Sequence, residues 1–483
     1  MQNQICNVVI VGGGTAGWST AALLSSNPKI NVTVIEPSDI PTIGVGESTI
    51  PYINIIHQKM KLSVFNTSEW LKEVNGTLKF SIEFADYHKL NHKWIHPFTS
   101  NLTQDDNITN LTCSSQLPLN VYQDQPDFVI DNYSFPNLCN RQFTHYYDQD
   151  KFVMTPTSGY HIDAVRYANL LKRESLKRDN CNCLDLKISK VVVDENNYVK
   201  ELLTTSNDAI HADLFIDCTG FSAILSNAVG SKWDDSYSKR LFVDTALAIQ
   251  LPYIDEKTQM RNTTYCHALG YGWVWNVPLQ NRIGTGYVYS SKYTSQEAAT
   301  EEFKQHLHSK YGYNKDELEF RKVPFNVGMR PESWKNNVVA VGLSSFFLEP
   351  IESTAIAHLQ HQAVTILNML ESNWISVENK RKRFNSLNKS SLDAIASYIE
   401  QHYIFSDRQD TEFWRAFTSL ELTDAQKQIL KAFTDSEITF NAQYAKTHYD
   451  GHSLFSQSSY MFLFLGYDIA PNQTTDRIRQ YLF

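Results

Sequence analysis

The sequence predicts an α/β chain, and three observations carry that expectation. Residues 8–11 form a short apolar β-branched run, followed by Gly12-Gly13-Gly14-Thr15-Ala16-Gly17 and then by helix-forming residues 18–24. Two more apolar runs, at 213–220 and 338–343, carry a glycine at or near their ends and fit parallel strands covered on both faces. From about Ile356 the periodicity turns helical, in residues 357–371, 389–403 and 424–432.

Taken in order, the first element is a dinucleotide-binding unit of Rossmann-like type. A second β-rich run, 32–35, ends in Glu36, nineteen residues after Gly17. Glycines make the turn, amides at the helix start receive a pyrophosphate, and the acid suits ribose hydroxyls. A glycine turn that merely packs helix on strand is the plainer alternative. Residues 187–193, 242–251 and 272–289 alternate or are aromatic and read as a β-rich layer. Residues 99–140, rich in Asn, Thr, Asp and Pro, read as a long surface excursion or lid. The expected division is 1–355 for the nucleotide module with its interleaved β-layer, and 356–483 for the helical part.

Composition excludes several classes. With 483 residues the chain exceeds what one small core organises. Its net charge of −9 argues against a phosphate-neutralising surface, so nucleic acid is not an expected partner. Seven cysteines without a CxxC pair or matching histidine spacing predict no metal site and suit reduced thiols in a cytosol. No apolar run approaches the roughly eighteen residues of a membrane span, so no membrane association and a cytoplasmic protein are expected. Neither 270–272 nor 284–286 completes a second glycine signature, so electrons are expected from another protein.

Several motifs stand together along the chain: GGGTAGW at 12–18, IGVGES at 43–48, Lys79 within GTLKFSIEF, HPF at 96–98, GWVWNVP at 272–278 and FLEPIESTAI at 347–356. With HYIFSDRQDTEFW at 402–414, they resemble the flavin-dependent halogenases of the tryptophan-halogenase type. The resemblance implies an FAD-binding module of the flavin monooxygenase type. It implies a two-component enzyme in which a separate flavin reductase supplies FADH2. Dioxygen and a halide ion then yield hypohalous acid for a small aromatic substrate, and a homo-oligomer is compatible with it.

Residue by residue, the resemblance assigns Gly12, Gly14, Thr15, Ala16, Gly17, Glu36, Val45, Leu343 and Ile356 to the cofactor. Ser353, Thr354 and Ala355 correspond to the halide segment, where orphan amides of a helix start seat an anion. The family usually has glycine where Ala355 stands, and the added methyl is expected to restrict the backbone there. Lys79 corresponds to the lysine that holds the electrophile; by alternation alone it would be a solvated strand residue, with Leu78, Phe80, Ile82 and Phe84 on the opposite face. Glu352 corresponds to the glutamate that orients the electrophile or takes up the ring proton; position alone makes it a first-turn acid. His96 and Phe98 match the residues that sandwich the substrate ring, with Tyr449, Phe455 or Tyr460 as a third wall. Trp273 and Trp275 match the passage between the two chemistries, although an aromatic core ladder explains them equally. An aromatic hydroxylase and a catalytically silent flavin-binding protein are the competing functions.

Overall fold

The β-branched run near the start becomes the strand Asn7–Val11, an inner strand of a six-stranded sheet in the computed structural model of this chain. The structure describes residues 5–39, 46–67, 69–98, 158–372, 374–435, 454–470, 479, 481 and 482. Val45, Tyr449 and the excursion at 99–140 lie outside the described residues. The sheet runs in the order Trp334–Lys335, Val338–Ala340, Leu214–Asp217, Asn7–Val11, Asn31–Ile35, Cys181–Leu184. Its pairs are parallel apart from the antiparallel first one. Val8, Ile10, Val34, Phe215, Ile216 and Val339 are all buried, as strands covered on both faces require.

The chain forms two compact units, each assembled from three stretches. Met1–Gly76, Ile162–Lys239 and Phe325–Leu392 make the first; Thr77–His161, Arg240–Pro324 and Asp393–Phe483 make the second. This interleaving differs from a boundary at 355. The helix Thr354–Glu371 belongs to the nucleotide unit, because its Gln362 Oε1 accepts from the Gly342 N–H (3.0 Å) at the turn after the strand Val338–Ala340.

The second unit holds a seven-stranded sheet, ordered Arg321–Pro324, Thr245–Leu251, Ile283–Tyr289, Gly272–Pro278, Thr263–Ala268, Ser81–Ala85, Lys93–Pro97. Only the pairing of Thr263–Ala268 with Ser81–Ala85 is parallel in it. The helix Gln296–Tyr311, capped by Ser295, buries Ala299, Phe303 and Leu307 against Leu247, Val274 and Tyr287. The face carrying Val274 is thus closed by that helix, and alternation sends Trp273 and Trp275 to the other. The motif at 402–414 fastens the helical part to this sheet. Ser406 Oγ donates to the Tyr87 carbonyl (2.5 Å), Thr411 Oγ1 to Gly270 O (2.6 Å) and Trp414 Nε1 to Leu269 O (2.8 Å).

Candidate active site

The glycine turn is built for close approach. A Cβ at Gly17 would lie 1.9 Å from the Gly12 carbonyl oxygen, so only glycine lets the helix Thr15–Leu24 start so near the strand. Gly14 caps that helix with no side-chain hydrogen bond, which leaves the opening amides for a ligand. The Glu36 carboxylate ends the second strand, accepting from Trp18 Nε1 (3.1 Å) and Lys172 Nζ (2.8 Å). Gly12, Gly14, Thr15, Ala16, Gly17 and Glu36 are therefore gathered at one turn. Gly342 adds to it, since a Cβ there would lie 3.0 Å from the Ala16 methyl. Leu343 follows Gly342 in the same turn, and Ile356 is buried near the start of the helix Thr354–Glu371. These features fit a dinucleotide such as FAD.

The halide segment departs from an ordinary helix start. Glu352 (φ 64°) and Ser353 (φ 57°) both sit in the left-handed region, although neither is glycine. Each carries a strain of roughly 1–2 kcal/mol. The bend buries Glu352 to 1 % exposure, so it is no solvated first-turn acid. The Ser353 N–H donates to the Pro350 carbonyl (3.1 Å), which leaves the Thr354 and Ala355 amides at the helix start. Ala355 itself is helical, so its methyl does not restrict the backbone in the expected way; the unusual φ values lie before it. Behind this helix start a buried network fixes the turn at Gly342. Gln362 Nε2 donates to Ser345 Oγ (2.8 Å) and Asn388 Oδ1 (2.9 Å), and His358 Nε2 meets Asn388 Oδ1 at 2.9 Å. Burial pushes the His358 imidazole down to about 3, so it is neutral there.

Lys79 overturns the plain alternation argument. It closes the short strand Thr77–Lys79, and its side chain is 0 % exposed, while Ser81 and Glu83 beyond it are buried as well. Both faces of this segment are covered, so no solvated side exists for it. The chain breaks step at Phe80, whose N–H donates to Asn262 O (2.9 Å), before the strand Ser81–Ala85 begins. The Lys79 ammonium lies 4.9 Å from the centroid of the Phe98 ring. Phe98 is placed by its own N–H, which donates to the Phe80 carbonyl (2.9 Å).

His96, opposite Ile82 in the neighbouring strand, is buried, and its ring stands 6.0 Å from Phe98 at an interplanar angle of 81°. The two rings form a corner and not a pair of parallel walls. Two aromatics that the sequence reading passed over come near His96: Tyr398 at 6.1 Å and Phe462 at 6.5 Å. Phe455 stacks on Tyr398 (3.8 Å), and Tyr460 meets it edge-on (5.0 Å). Trp273 and Trp275 share a face, with centroids 6.4 Å apart. Their strand depends on Gly286 opposite, where a Cβ would lie 2.1 Å from the Trp275 ring.

Among the described residues no cluster of three or more metal-ligating side chains occurs, and no helix is long and apolar enough to cross a membrane. The second unit thus offers a buried amine among aromatic rings, and the first a glycine cradle with a strained helix start. The sequence model of the tryptophan halogenases matches residues 7–481. The tryptophan 6-halogenase SttH of Streptomyces toxytricini is 30 % identical over 483 residues, covering 95 % of this chain and 88 % of that protein. A tryptophan halogenase structure from Shewanella frigidimarina is similar with a TM-score of 0.81 at 26 % identity, covering 99 % of this chain and 92 % of that one. A flavin-dependent halogenase from Xanthomonas campestris gives 0.79 at 28 %, covering 99 % and 94 %. With nearly every residue inside that match, the chain belongs to the tryptophan halogenase family, whose members are flavin-dependent enzymes.

Proposed function

We propose that the chain halogenates an indole- or phenol-like aromatic substrate, with Lys79 as the group that holds the halogen. The observation that carries this reading is a fully buried lysine ammonium 4.9 Å from the Phe98 ring, in a family of halogenases. Reduced FAD, when bound, supplies the electrons that let dioxygen oxidise a halide to hypohalous acid. Gly12 and Gly17 let strand and helix approach closely, so that the amides opening the helix after Gly14 hold the cofactor's phosphates, and Glu36 receives a ribose. The Thr354 and Ala355 amides seat the halide.

As an ammonium Lys79 has three donors and no acceptor, so it hydrogen-bonds the hypohalous oxygen; once it has lost a proton, its free amine takes the halogen as a haloamine and the hypohalous oxygen leaves as water. Burial keeps water from quenching the electrophile. His96 and Phe98, with Tyr398 and Phe462, orient the ring that receives it. Glu352 orients the electrophile or accepts the proton that the ring loses. Trp273 and Trp275 line the route and keep substrate away from the oxygen chemistry. Heavier halides react faster than chloride, because they are easier to oxidise and shed hydration more readily.

The test is the product mass. Purified chain, reduced FAD, bromide and indole under air should yield indole that has gained bromine in place of hydrogen. Indole that has gained only oxygen would make the chain a hydroxylase, and unchanged indole would make it a silent flavin-binding protein. NADH should not be consumed until a flavin reductase is added.

A further inference from the structure

The strand that carries Lys79 is only three residues long and pairs with the strand Gly159–Ile162, Thr77 opposite His161 and Lys79 opposite Gly159. So short a ladder fixes register weakly. A chain of side-chain hydrogen bonds reinforces it. His161 is fully buried, with Nδ1 2.9 Å from Thr77 Oγ1 and Nε2 2.9 Å from Thr264 Oγ1. Thr77 Oγ1 also lies 2.7 Å from the carbonyl oxygen of Pro278, the residue that closes the tryptophan strand.

The protons in this chain have one arrangement. A carbonyl oxygen only accepts, so the single hydroxyl proton of Thr77 goes to Pro278. His161 Nδ1 must then carry a proton and donate it to Thr77. Burial and the nearby Lys79 charge hold the imidazole well below its ordinary pKa, so the ring is neutral and Nε2 is a lone pair. Thr264 donates to it. The bonds therefore run in one direction, from Thr264 through His161 and Thr77 to Pro278. They join four strands: those of the aromatic sheet at Thr264 and Pro278, and between them the strand Gly159–Ile162 and the lysine strand it pairs with.

We infer that His161 is a positioning residue for Lys79. Its ring, held between Thr264 and Thr77, fixes the lysine strand against the Pro278 end of the tryptophan strand and so sets the distance from the Lys79 ammonium to Phe98. As a neutral group it also adds no second positive charge beside the amine. The inference rests on the reading of Lys79 as the halogen-holding group.

Two measurements test it. Selective 15N-histidine labelling, with the signal assigned by its loss in His161→Asn, should show a neutral ring protonated on Nδ1 at neutral pH. A ring protonated on Nε2, or a cation, overturns the assignment. In single turnover with reduced FAD, bromide and indole as the probe, His161→Ala should lower product per flavin oxidised at least about tenfold, with flavin oxidation within about twofold of the parent. His161→Asn, whose amide can still donate to Thr77, should recover the ratio to within about threefold of the parent. Thr77→Val breaks the same chain without touching the ring and should behave like His161→Ala. A merely structural role lowers the folded fraction and the melting temperature but leaves product per flavin unchanged; that result overturns the inference. Lys79→Ala run alongside separates the two claims. If that variant still makes product, the reading of Lys79 falls; if it makes none while His161→Ala and Thr77→Val keep the parental ratio, only the inference on His161 falls.

Discussion

Lys79 and Glu352 are both removed from water, at 0 % and 1 % exposure, yet the chain achieves this in two different ways. Around Glu352 the device is backbone. Two successive non-glycine residues in the left-handed region turn the chain into the helix Thr354–Glu371, and the Ser353 N–H closes the bend on Pro350. Around Lys79 the device is side chains: Thr77, His161 and Thr264 are linked in series, and Ser81 Oγ is bonded to Thr263 Oγ1. The difference teaches where each site is vulnerable. Amide donors at a helix start survive most substitutions, whereas a buried hydrogen-bond series fails when one member is removed, because its partner is left unsatisfied.

Two substitutions sharpen that contrast in the first unit. Glu352→Gln keeps the size of the side chain and its conformation but removes the carboxylate. Turnover with bromide and indole should fall by about one to two orders of magnitude while the melting temperature stays near the parent value. The amide that replaces the carboxylate can still orient the electrophile by hydrogen bonding, so the loss is smaller than for the lysine. A rate equal to the parent would reduce Glu352 to a residue that shapes the bend. The smaller effect belongs to Ala355→Gly. Since residue 355 is helical, the ratio of chloride to bromide turnover should change by less than about twofold, and the melting temperature should drop slightly, as glycine costs about 1 kcal/mol in a helix. Competition between the two halides followed by product mass spectrometry measures it. A large gain for chloride would show that the methyl does hold the amides away from a small anion.

Much of the first unit was legible in the sequence, because its signals are local. A β-branched run, a glycine turn and an acid nineteen residues on lie within thirty residues of chain, and the structure makes them strand, turn and strand. The parallel strands at 214–217 and 338–340 were marked by continuous apolar runs for the same reason. Less of the second unit was. Alternation around Lys79 suggested a wet face, but the kink at Phe80 and the neighbouring strands bury both sides, which no pattern within nine residues can report. Tyr398 and Phe462 reach His96 from helices more than three hundred residues further on, and each reads locally as one more core aromatic. His161 carried no sequence signal either; only the partners on both sides of its ring set it apart. The left-handed pair Glu352–Ser353 was hidden for the opposite reason, since both residue types suit a helix start and neither announces a positive φ.

The central claim is that the buried amine of Lys79 acts after the halide has been oxidised. It is tested most directly by single turnover of Lys79→Ala with reduced FAD, dioxygen, bromide and indole, following flavin oxidation by absorbance and brominated indole by mass. Flavin oxidation should stay within about twofold of the parent while brominated product falls by at least about a thousandfold, the loss expected when a group that acts only on the electrophile is removed. Brominated indole formed at close to the parental yield would contradict that claim.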